Sequence, residues 1–250
     1  GYAANNGLGK GSKHASSQWY LSGGGGYGGW GGRGVHSDGT ILAGGSTYGA
    51  FDAPLAPGSG GGNYNSSSPK AGGGAVLIQA GGTLVIDGVI SADGGDSASI
   101  NAGAGSGGSI NIICDQLAGG TSGIVRANGG YGTATGSYGN GGGGGGRIAV
   151  RYSTLAETVG VRFSARYGSS YDSHWGINRL QAARIGTIYF SSPNLIEKVL
   201  TAWSGNSQGL NGEIRFESTN LWESSALNTL SNSAVGIADG NLWQVSSALS

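Results

Sequence analysis

The sequence predicts an all-β protein, a glycine-rich parallel β-solenoid (β-helix) with glycine-rich loop excursions. Three observations lead to this prediction: the chain holds 56 glycines in 250 residues, glycine runs lead repeatedly into short alternating strands, and the apolar residues of those strands align in columns. Glycine is about three times as frequent as its ordinary usage of ~7%, without a Gly-X-Y period. Units this short cannot enclose a core alone, so they are expected to stack and share one.

The joint between glycine and strand is clearest at 141–152, where six glycines precede Arg147-Ile148-Ala149-Val150-Arg151-Tyr152. Strand side chains alternate between two faces, so every second residue points inward. The inward columns of the five copies are Val76, Ile110, Ile148, Ile188 and Ile214, then Ile78, Ile112, Val150, Phe190 and Phe216, then Ala80, Cys114, Tyr152, Ser192 and Ser218. The residues between them are more polar, which predicts one dry and one solvent-facing side.

A second, shorter segment follows each strand, and its inward positions also align. They are Ile90, Val125, Phe163 and Leu200, then Ala92, Ala127, Ala165 and Ala202. Asp93-Gly94 and Asn128-Gly129 close this segment in two copies. Asx-Gly pairs tolerate the positive φ that a tight corner needs, so their predicted role is geometric.

The chain divides by composition into a glycine-rich N-terminal region with irregular strands and loops, 1–74, and solenoid rungs at 75–250 that become less regular after residue 190. The densest N-terminal run, 23–34, has two interpretations. It packs as polyglycine-II-like extended strands, in which backbones approach closely, or it is a flexible linker. The aromatic side chains that interrupt the glycines favour the ordered interpretation.

Charge and cysteine content exclude several classes of protein. Thirteen basic and thirteen acidic residues cancel, and no basic stripe suited to nucleic acid is present. No apolar run approaches the ~18 residues of a membrane span. Cys114 is the only cysteine, so no disulfide framework is predicted, and its inward column predicts a buried, unreactive thiol. Because methionine is absent, the sequence is expected to be a piece of a longer, exported protein.

Several glycine-rich motifs, taken together and in their order along the chain, resemble those of a known class of proteins. GGGGYGGWGGRG stands at 23–34, YG with following prolines and GSGGG at 48–62, and GGGGGGRIAVRY at 141–152, followed by Gly186-Thr187-Ile188-Tyr189. In this order they resemble the glycine-rich repeat modules of very large secreted or surface-attached bacterial proteins. The resemblance covers roughly residues 23 to 190. It implies an extracellular β-helical module associated with surface architecture or adhesion, and it brings no catalytic residues.

No residue set predicts catalysis, a bound cofactor or a metal cluster. A β-helix that cleaves acidic polysaccharide needs carboxylates gathered on one outward strand face. The outward columns offer Glu213 and Glu217 beside Arg215, which a surface ion pair explains. A structural calcium ion is the remaining inorganic candidate. Its oxygen ligands would come from residues near the predicted corners, Asp87, Asp93, Asp96, Asp115 and Asn128.

Aromatic residues in glycine-rich or loop contexts are candidates for stacking on glycans. They are Tyr27, Trp30, Tyr131, Tyr138, Tyr167, Tyr171 and Trp175. The alternative is that they are packing anchors, which pin the glycine loops to the sheet. Asn65-Ser66-Ser67 is a glycosylation sequon and makes Asn65 a candidate acceptor in an extracellular protein.

The leading functional hypothesis is a secreted, non-enzymatic structural protein at the cell surface or outside the cell. It would associate with itself, as a homo-oligomer or filament, into a fibre, sheath or surface layer, because low net charge favours association and an uncapped stack exposes unpaired backbone groups. The alternative is a carbohydrate-binding or adhesive module of a larger surface protein. A polysaccharide-active β-helix is the third hypothesis.

Overall fold

A computed structural model describes residues 1–14, 21–64, 70–97, 101–135, 138–169, 183–202, 209–216, 234–238 and 242–246. The strands are β1 (Gly34–His36), β2 (Ile41–Leu42), β3 (Ala75–Val85), β4 (Val89–Ser91), β5 (Ser109–Gly119), β6 (Ile124–Arg126), β7 (Ala134–Thr135), β8 (Tyr138–Gly139), β9 (Arg147–Val159), β10 (Arg162–Ser164), β11 (Thr187–Phe190), β12 (Leu210–Phe216), β13 (Ala234–Ala238) and β14 (Leu242–Ser246). A helix, α1 (Asn194–Ala202), lies between β11 and β12.

Eight strands form a parallel sheet that curls into a half-barrel, in the order β3-β5-β9-β11-β12-β10-β6-β4. β12 joins the two arms of this sheet, because Leu210 and Asn211 pair with β10 while residues 213–216 pair with β11. β14 pairs antiparallel with β12, and β13 pairs antiparallel with β14. A separate four-stranded antiparallel sheet has the order β2-β1-β8-β7.

The predicted fold class, an all-β parallel β-solenoid, is therefore wrong. The parallel strands form one curled sheet, accompanied by a small antiparallel sheet and a helix. The physical reason lies in two features that the columns do not encode. One strand, β12, bridges both arms, and glycine segments outside the strand ladders, rather than further strands, carry the chain from one strand to the next.

The predicted strand registers are confirmed where the columns fall on described strands. Val76 pairs with Ile110, Ile110 with Ile148, and Ile148 with Ile188. Ile188 in turn pairs with Ile214. In-register pairing places like side chains side by side on one face, because the side-chain period along a strand is two.

The core lies between the two arms of the curled sheet. Ile110, Ile148 and Ile188 are fully buried on one arm, and Phe163 is fully buried on the other. The Phe163 ring meets the Phe190 ring edge to face, with centroids 5.3 Å apart. Burying each such side chain contributes about 1.5–3 kcal/mol, so the inward columns supply the main stabilisation of the fold.

The second-segment columns predict a strand at their last members, Leu200 and Ala202, and this prediction is wrong because both residues lie in α1. Pro193 stands just before the helix, where its fixed φ suits a first turn, and the Asn194 N–H donates to the Ser192 hydroxyl at 3.4 Å. Apolar residues at helical spacing, Leu195 and Val199, bury this face against the core. Leu210 takes the predicted place of Leu200 and pairs with Phe163.

The glycine run at 23–34 is ordered, as the polyglycine-II-like interpretation predicted. Four consecutive residues each donate a backbone hydrogen bond of 2.7 to 2.9 Å, three of them to another segment and one within the run. The acceptors of Gly23, Gly24, Gly25 and Gly26 are, in order, Ser12, Gly32, Ala104 and Gly9. The first and fourth bonds reach the same neighbouring segment, which is the three-residue periodicity of a polyproline-II-type helix. The glycine run at 23–34 thus packs with an earlier segment, 9–12, and with a later one at Ala104. We call these closely packed glycine segments the bundle.

The six-glycine run at 141–146 shows why this bundle requires glycine. A Cβ on Gly143 would lie 1.9 Å from the Gly105 carbonyl oxygen, and one on Gly145 would lie 2.0 Å from the Ala165 oxygen. The obstructing atoms are backbone, which cannot rotate away. Backbones in the bundle are therefore closer together than any side chain permits, and their N–H groups are satisfied by neighbouring carbonyls.

The predicted solvent-facing side of the strands is also buried on β5, β9 and β11. Ser109, Asn111, Ala149 and Tyr189, all from outward columns, are buried. Residues 48–52 cover this face: the Phe51 ring lies 5.9 Å from the Tyr189 ring, and the Tyr48 carbonyl accepts a hydrogen bond from Arg147. Central strands of the sheet are thus covered on both faces, as parallel sheets usually are.

Candidate functional site

The open edge of the curled sheet is formed by β3 and β4, the two ends of its strand order. β3 pairs with β5 on one side, and among the described residues no strand pairs with its other side. Three apolar side chains at this edge are more than half exposed: Leu77 at 51%, Val85 at 57% and Val89 at 59%. We call β3 and β4 together the open edge.

The open edge has few of the features that usually prevent strand addition. Neither β3 nor β4 contains a charged residue or a proline, the devices by which sheet edges resist pairing. Its one irregularity is a register shift between Ala80 and Thr83. The unpaired backbone groups of an eleven-residue strand can accept another strand in the hydrogen-bonding direction.

A pocket of about 520 Å³ lies where the glycine segments meet the first residues of β9 and β11 and the middle of β12. We call it the Trp30 pocket. Its lining residues are Gly28, Gly29, Trp30, Thr47, Gly49, Phe51, Arg147, Arg184, Ile185, Thr187 and Glu213. An exposed tryptophan, two arginines and a glutamate thus line one concave surface, a composition typical of a site for a polar ligand.

Arg147 builds the inner wall of this pocket and is nearly buried. Its Nε donates to the Tyr48 carbonyl at 2.9 Å, and its Nη1 donates to the Thr187 hydroxyl at 3.1 Å. The guanidinium also lies 5.5 Å from the centre of the Tyr27 ring. A buried charge needs such compensation, and these contacts hold Arg147 in place.

Tyr27 is fully buried, so it is not available for stacking on a glycan in the folded chain. Its ring packs against Tyr48 with centroids 4.7 Å apart. Desolvation by burial raises the pKa of Tyr27 above its usual value, and the positive charge of Arg147 partly offsets this rise. The packing-anchor interpretation of the glycine-rich aromatics therefore applies to Tyr27.

The other candidate aromatic residues differ in their exposure to solvent. Trp30, Tyr131 and Tyr167 are exposed, whereas Tyr138 is half-buried and packs its ring against His36 with centroids 4.7 Å apart. The structure places Trp30 in a pocket beside charged side chains. Tyr171, Trp175 and the candidate glycosylation residue Asn65 lie outside the described residues.

Three of the four acidic residues considered for calcium accept hydrogen bonds from backbone N–H groups one repeat further along the chain. Asp87 accepts from Gly120 at 2.8 Å, Asp93 from Asn128 at 2.7 Å and Asp96 from Tyr131 at 2.8 Å. Within the described ranges no three His, Cys, Asp or Glu residues gather as a metal site would require. These carboxylates link successive copies of the repeat, and calcium binding stays an untested prediction.

The corner geometry predicted for Asp93-Gly94 and Asn128-Gly129 is wrong. Neither Gly94 nor Gly129 has a positive φ. A Cβ on Gly94 would instead lie 2.2 Å from the Gly105 oxygen, so close packing requires this glycine. The Asx residues act through their side chains, since Asn128 in turn accepts from the Arg166 N–H at 2.9 Å.

Cys114 is buried in the core, as its column predicted. Desolvation, followed by the neighbouring charge of Asp115, raises the pKa of its thiol. A thiol with a raised pKa holds its proton at neutral pH and is a poor nucleophile.

Tyr48, whose ring packs against the buried Tyr27, allows the packing of these two tyrosines to be tested. Its hydroxyl donates to the Pro57 carbonyl at 2.6 Å and lies 2.8 Å from the Ser59 hydroxyl. Desolvation raises its pKa from 10.0 to about 12. The folded chain therefore holds this proton more tightly than the unfolded chain, so the stabilisation is complete below the unfolded pKa and is lost as the pH rises from 10.0 to about 12.

We expect the free energy of unfolding to fall more steeply over this pH range in the parent protein than in Tyr48→Phe. The measurement is urea denaturation at a series of pH values. The difference between the two proteins isolates Tyr48 from Tyr27 and Tyr152, whose pKa values burial also raises. Equal slopes for both proteins would contradict this assignment.

Sequence reasoning missed the Trp30 pocket because it treated the outward columns as solvent-facing. Arg147 and Thr187 occupy the first outward column, and Glu213 is the next member of it. An arginine and a glutamate in one column indicate a polar site on this face. The residues that close the pocket, Trp30 and Phe51 among them, lie far away in the sequence, so their position does not follow from the columns. Glu217 lies outside the described residues.

The one described helix, α1, is too short to cross a membrane. Comparison of the chain with protein-family models, with curated proteins and with solved structures gave no match.

Proposed function

We propose that this chain is a secreted, non-enzymatic structural protein that associates with copies of itself into an extracellular fibre, sheath or surface layer. The observation that supports the proposal best is the open edge. It combines a long strand that is unpaired on one side with exposed apolar side chains and no charged residue. Such an edge in water favours the addition of another strand.

A second copy is the occupant that the strand directions favour. β12 runs parallel to β3 within the sheet, β14 runs against β12, and β13 runs against β14. β13 therefore points the same way as β3, and among the described strands it pairs with β14 alone. The outer edge of β13 in one copy can thus extend the parallel order by pairing with β3 of the next copy.

Pairing of two different edges is a head-to-tail contact, so the assembly keeps a free β3 edge at one end and a free β13 edge at the other. Such contacts build open filaments when the rotation between copies does not close into a ring. The zero formal net charge of the chain means that copies do not repel one another strongly, which further favours association.

We expect the purified protein to form assemblies whose size grows with concentration, and Leu77→Lys with Val85→Lys to reduce association at least about tenfold. Lysine on an edge strand opposes pairing because its charge would be desolvated. Analytical ultracentrifugation and electron microscopy measure the effect. Leu55→Lys, at another exposed apolar position, is the matched control and should assemble like the parent. Dispersed monomers of the parent protein at high concentration would contradict the proposal.

A second function, carbohydrate binding in an adhesive module, is favoured by one observation, the exposed Trp30 in a concave and polar setting. The flat apolar face of an indole, with polar groups around it, suits a sugar ring, which is itself apolar on its faces and polar at its rim. Because the Trp30 pocket does not include the open edge, both functions can coexist in one chain.

A further inference from the structure

We infer that the Trp30 pocket binds a saccharide unit carrying a carboxylate, with the sugar ring on the Trp30 indole and the carboxylate on the Arg184 guanidinium. The inference rests on the proposed carbohydrate-binding function and adds the chemical class of the ligand. Its basis is that two exposed residues, Trp30 and Arg184, line one pocket and are held next to each other by a backbone hydrogen bond.

The backbone holds these two groups next to each other. The Arg184 N–H donates to the Trp30 carbonyl at 2.8 Å, so the two residues stay adjacent whatever their side chains do. Trp30 is 55% exposed. An indole that is not buried by the fold still presents apolar area, which a ligand can remove from water.

Close packing of the two glycines before Trp30 fixes the backbone that carries the indole. A Cβ on Gly28 would lie 2.1 Å from the Gly146 oxygen, and a Cβ on Gly29 would lie 2.0 Å from the Arg184 oxygen. Close packing thus excludes side chains from the two positions that precede Trp30. These contacts hold the backbone before Trp30 in place, while its exposed side chain stays accessible to a ring-shaped ligand.

The charges of the pocket favour an anionic ligand over a neutral one. Its lining holds two arginines and one glutamate. Arg147 is held by Tyr48 and Thr187, whereas the exposed Arg184 side chain forms no ion pair within the described residues. A planar guanidinium binds a carboxylate with two parallel hydrogen bonds, which are stronger than bonds between neutral groups.

Remaining polar groups of the pocket suit the hydroxyls of a sugar. Thr47 and Thr187 each carry a hydroxyl, and Glu213 carries a carboxylate that accepts hydrogen bonds. A few polar groups around one apolar contact are what fix the orientation of a small ligand. A single anionic sugar unit, rather than a highly charged polymer such as nucleic acid, matches this small excess of positive charge.

The test is isothermal titration with oligogalacturonate and with its fully methyl-esterified form, which keeps the ring and loses the charge. We expect the ester to bind about tenfold more weakly, the loss that corresponds to one charge-assisted hydrogen bond. Arg184→Gln should lower the affinity for the acid to that for the ester. Trp30→Ala should lower the affinity for both ligands by at least about tenfold, because it removes the apolar contact.

Two variants serve as matched controls and should bind like the parent protein. Arg166→Gln removes an exposed arginine, and Tyr131→Ala removes an exposed aromatic ring, both outside the pocket. Thermal unfolding of every variant shows that its fold is retained. Equal, Trp30-dependent binding of acid and ester would overturn the acidic-ligand inference and leave carbohydrate binding standing. Absence of binding, or binding indifferent to Trp30 and Arg184, would overturn both.

Discussion

Replacing Gly73 by alanine is expected to cost at least ~3 kcal/mol of unfolding free energy or to prevent folding, whereas Gly74→Ala beside it leaves stability unchanged or slightly raised. A Cβ on Gly73 would lie 1.9 Å from the Ala92 oxygen and 2.5 Å from the Gly108 nitrogen. Both atoms belong to the backbone of the bundle, so relief requires that segments separate and lose hydrogen bonds. Overpacking of this kind exceeds the usual 1–3 kcal/mol because no side chain can rotate away.

Gly74 is the matched control because nothing lies within 4 Å of its added Cβ. An alanine there restricts the unfolded chain, which stabilises a protein by about 0.4–1 kcal/mol where the conformation permits it. Urea denaturation followed by tryptophan fluorescence measures both variants. Similar stabilities for the two alanine variants would show that the glycine segments are not closely packed, and the account of the bundle would fail.

Phe163→Ala is expected to destabilise the protein by about 3–5 kcal/mol, the range for removing a large buried aromatic side chain. Phe163 is fully buried on β10, and its ring contacts Phe190 of β11, on the other arm of the curled sheet. The substitution therefore removes packing between the two arms as well as buried area. Chemical denaturation measures the loss.

Phe163→Leu should cost clearly less than Phe163→Ala, because it retains most of the volume and loses the edge-to-face contact. Leu8→Ala, at a position 73% exposed, should change stability by no more than about 0.5 kcal/mol. A loss below about 1.5 kcal/mol for Phe163→Ala would mean that the two arms do not share one core.

The strand registers could be predicted because they depend on local sequence. Alternation assigns each residue of a strand to one face, and the glycine joint marks the same starting point in each copy. Ile110 and Ile148 therefore align, as do Ile112 and Val150. Order in the glycine runs was predictable for a similar reason, since the aromatic residues between the glycines give the segments something to pack against.

The helix α1 shows where this reasoning failed. Leu200 continued a column by its position in the sequence, yet Pro193 and the helical spacing of Leu195 and Val199 were signals for a different structure. The count of residues from repeat to repeat was given more weight than these local signals. Leu210, ten residues further on, occupies the place in the core.

The sequence by itself determined which side chains face the interior and which strands lie side by side, and it favoured order in the glycine run at 23–34, because strand periodicity and the aromatic residues between the glycines are local properties. Only the tertiary structure decided that β12 joins two arms into a curled sheet, that residues 48–52 cover its outer face, and that Trp30 and Arg184 share a pocket. Those features arise from contacts between segments far apart in the chain. Many of these contacts are backbone hydrogen bonds between glycines, and glycines carry no side-chain pattern from which the partner segment could be predicted.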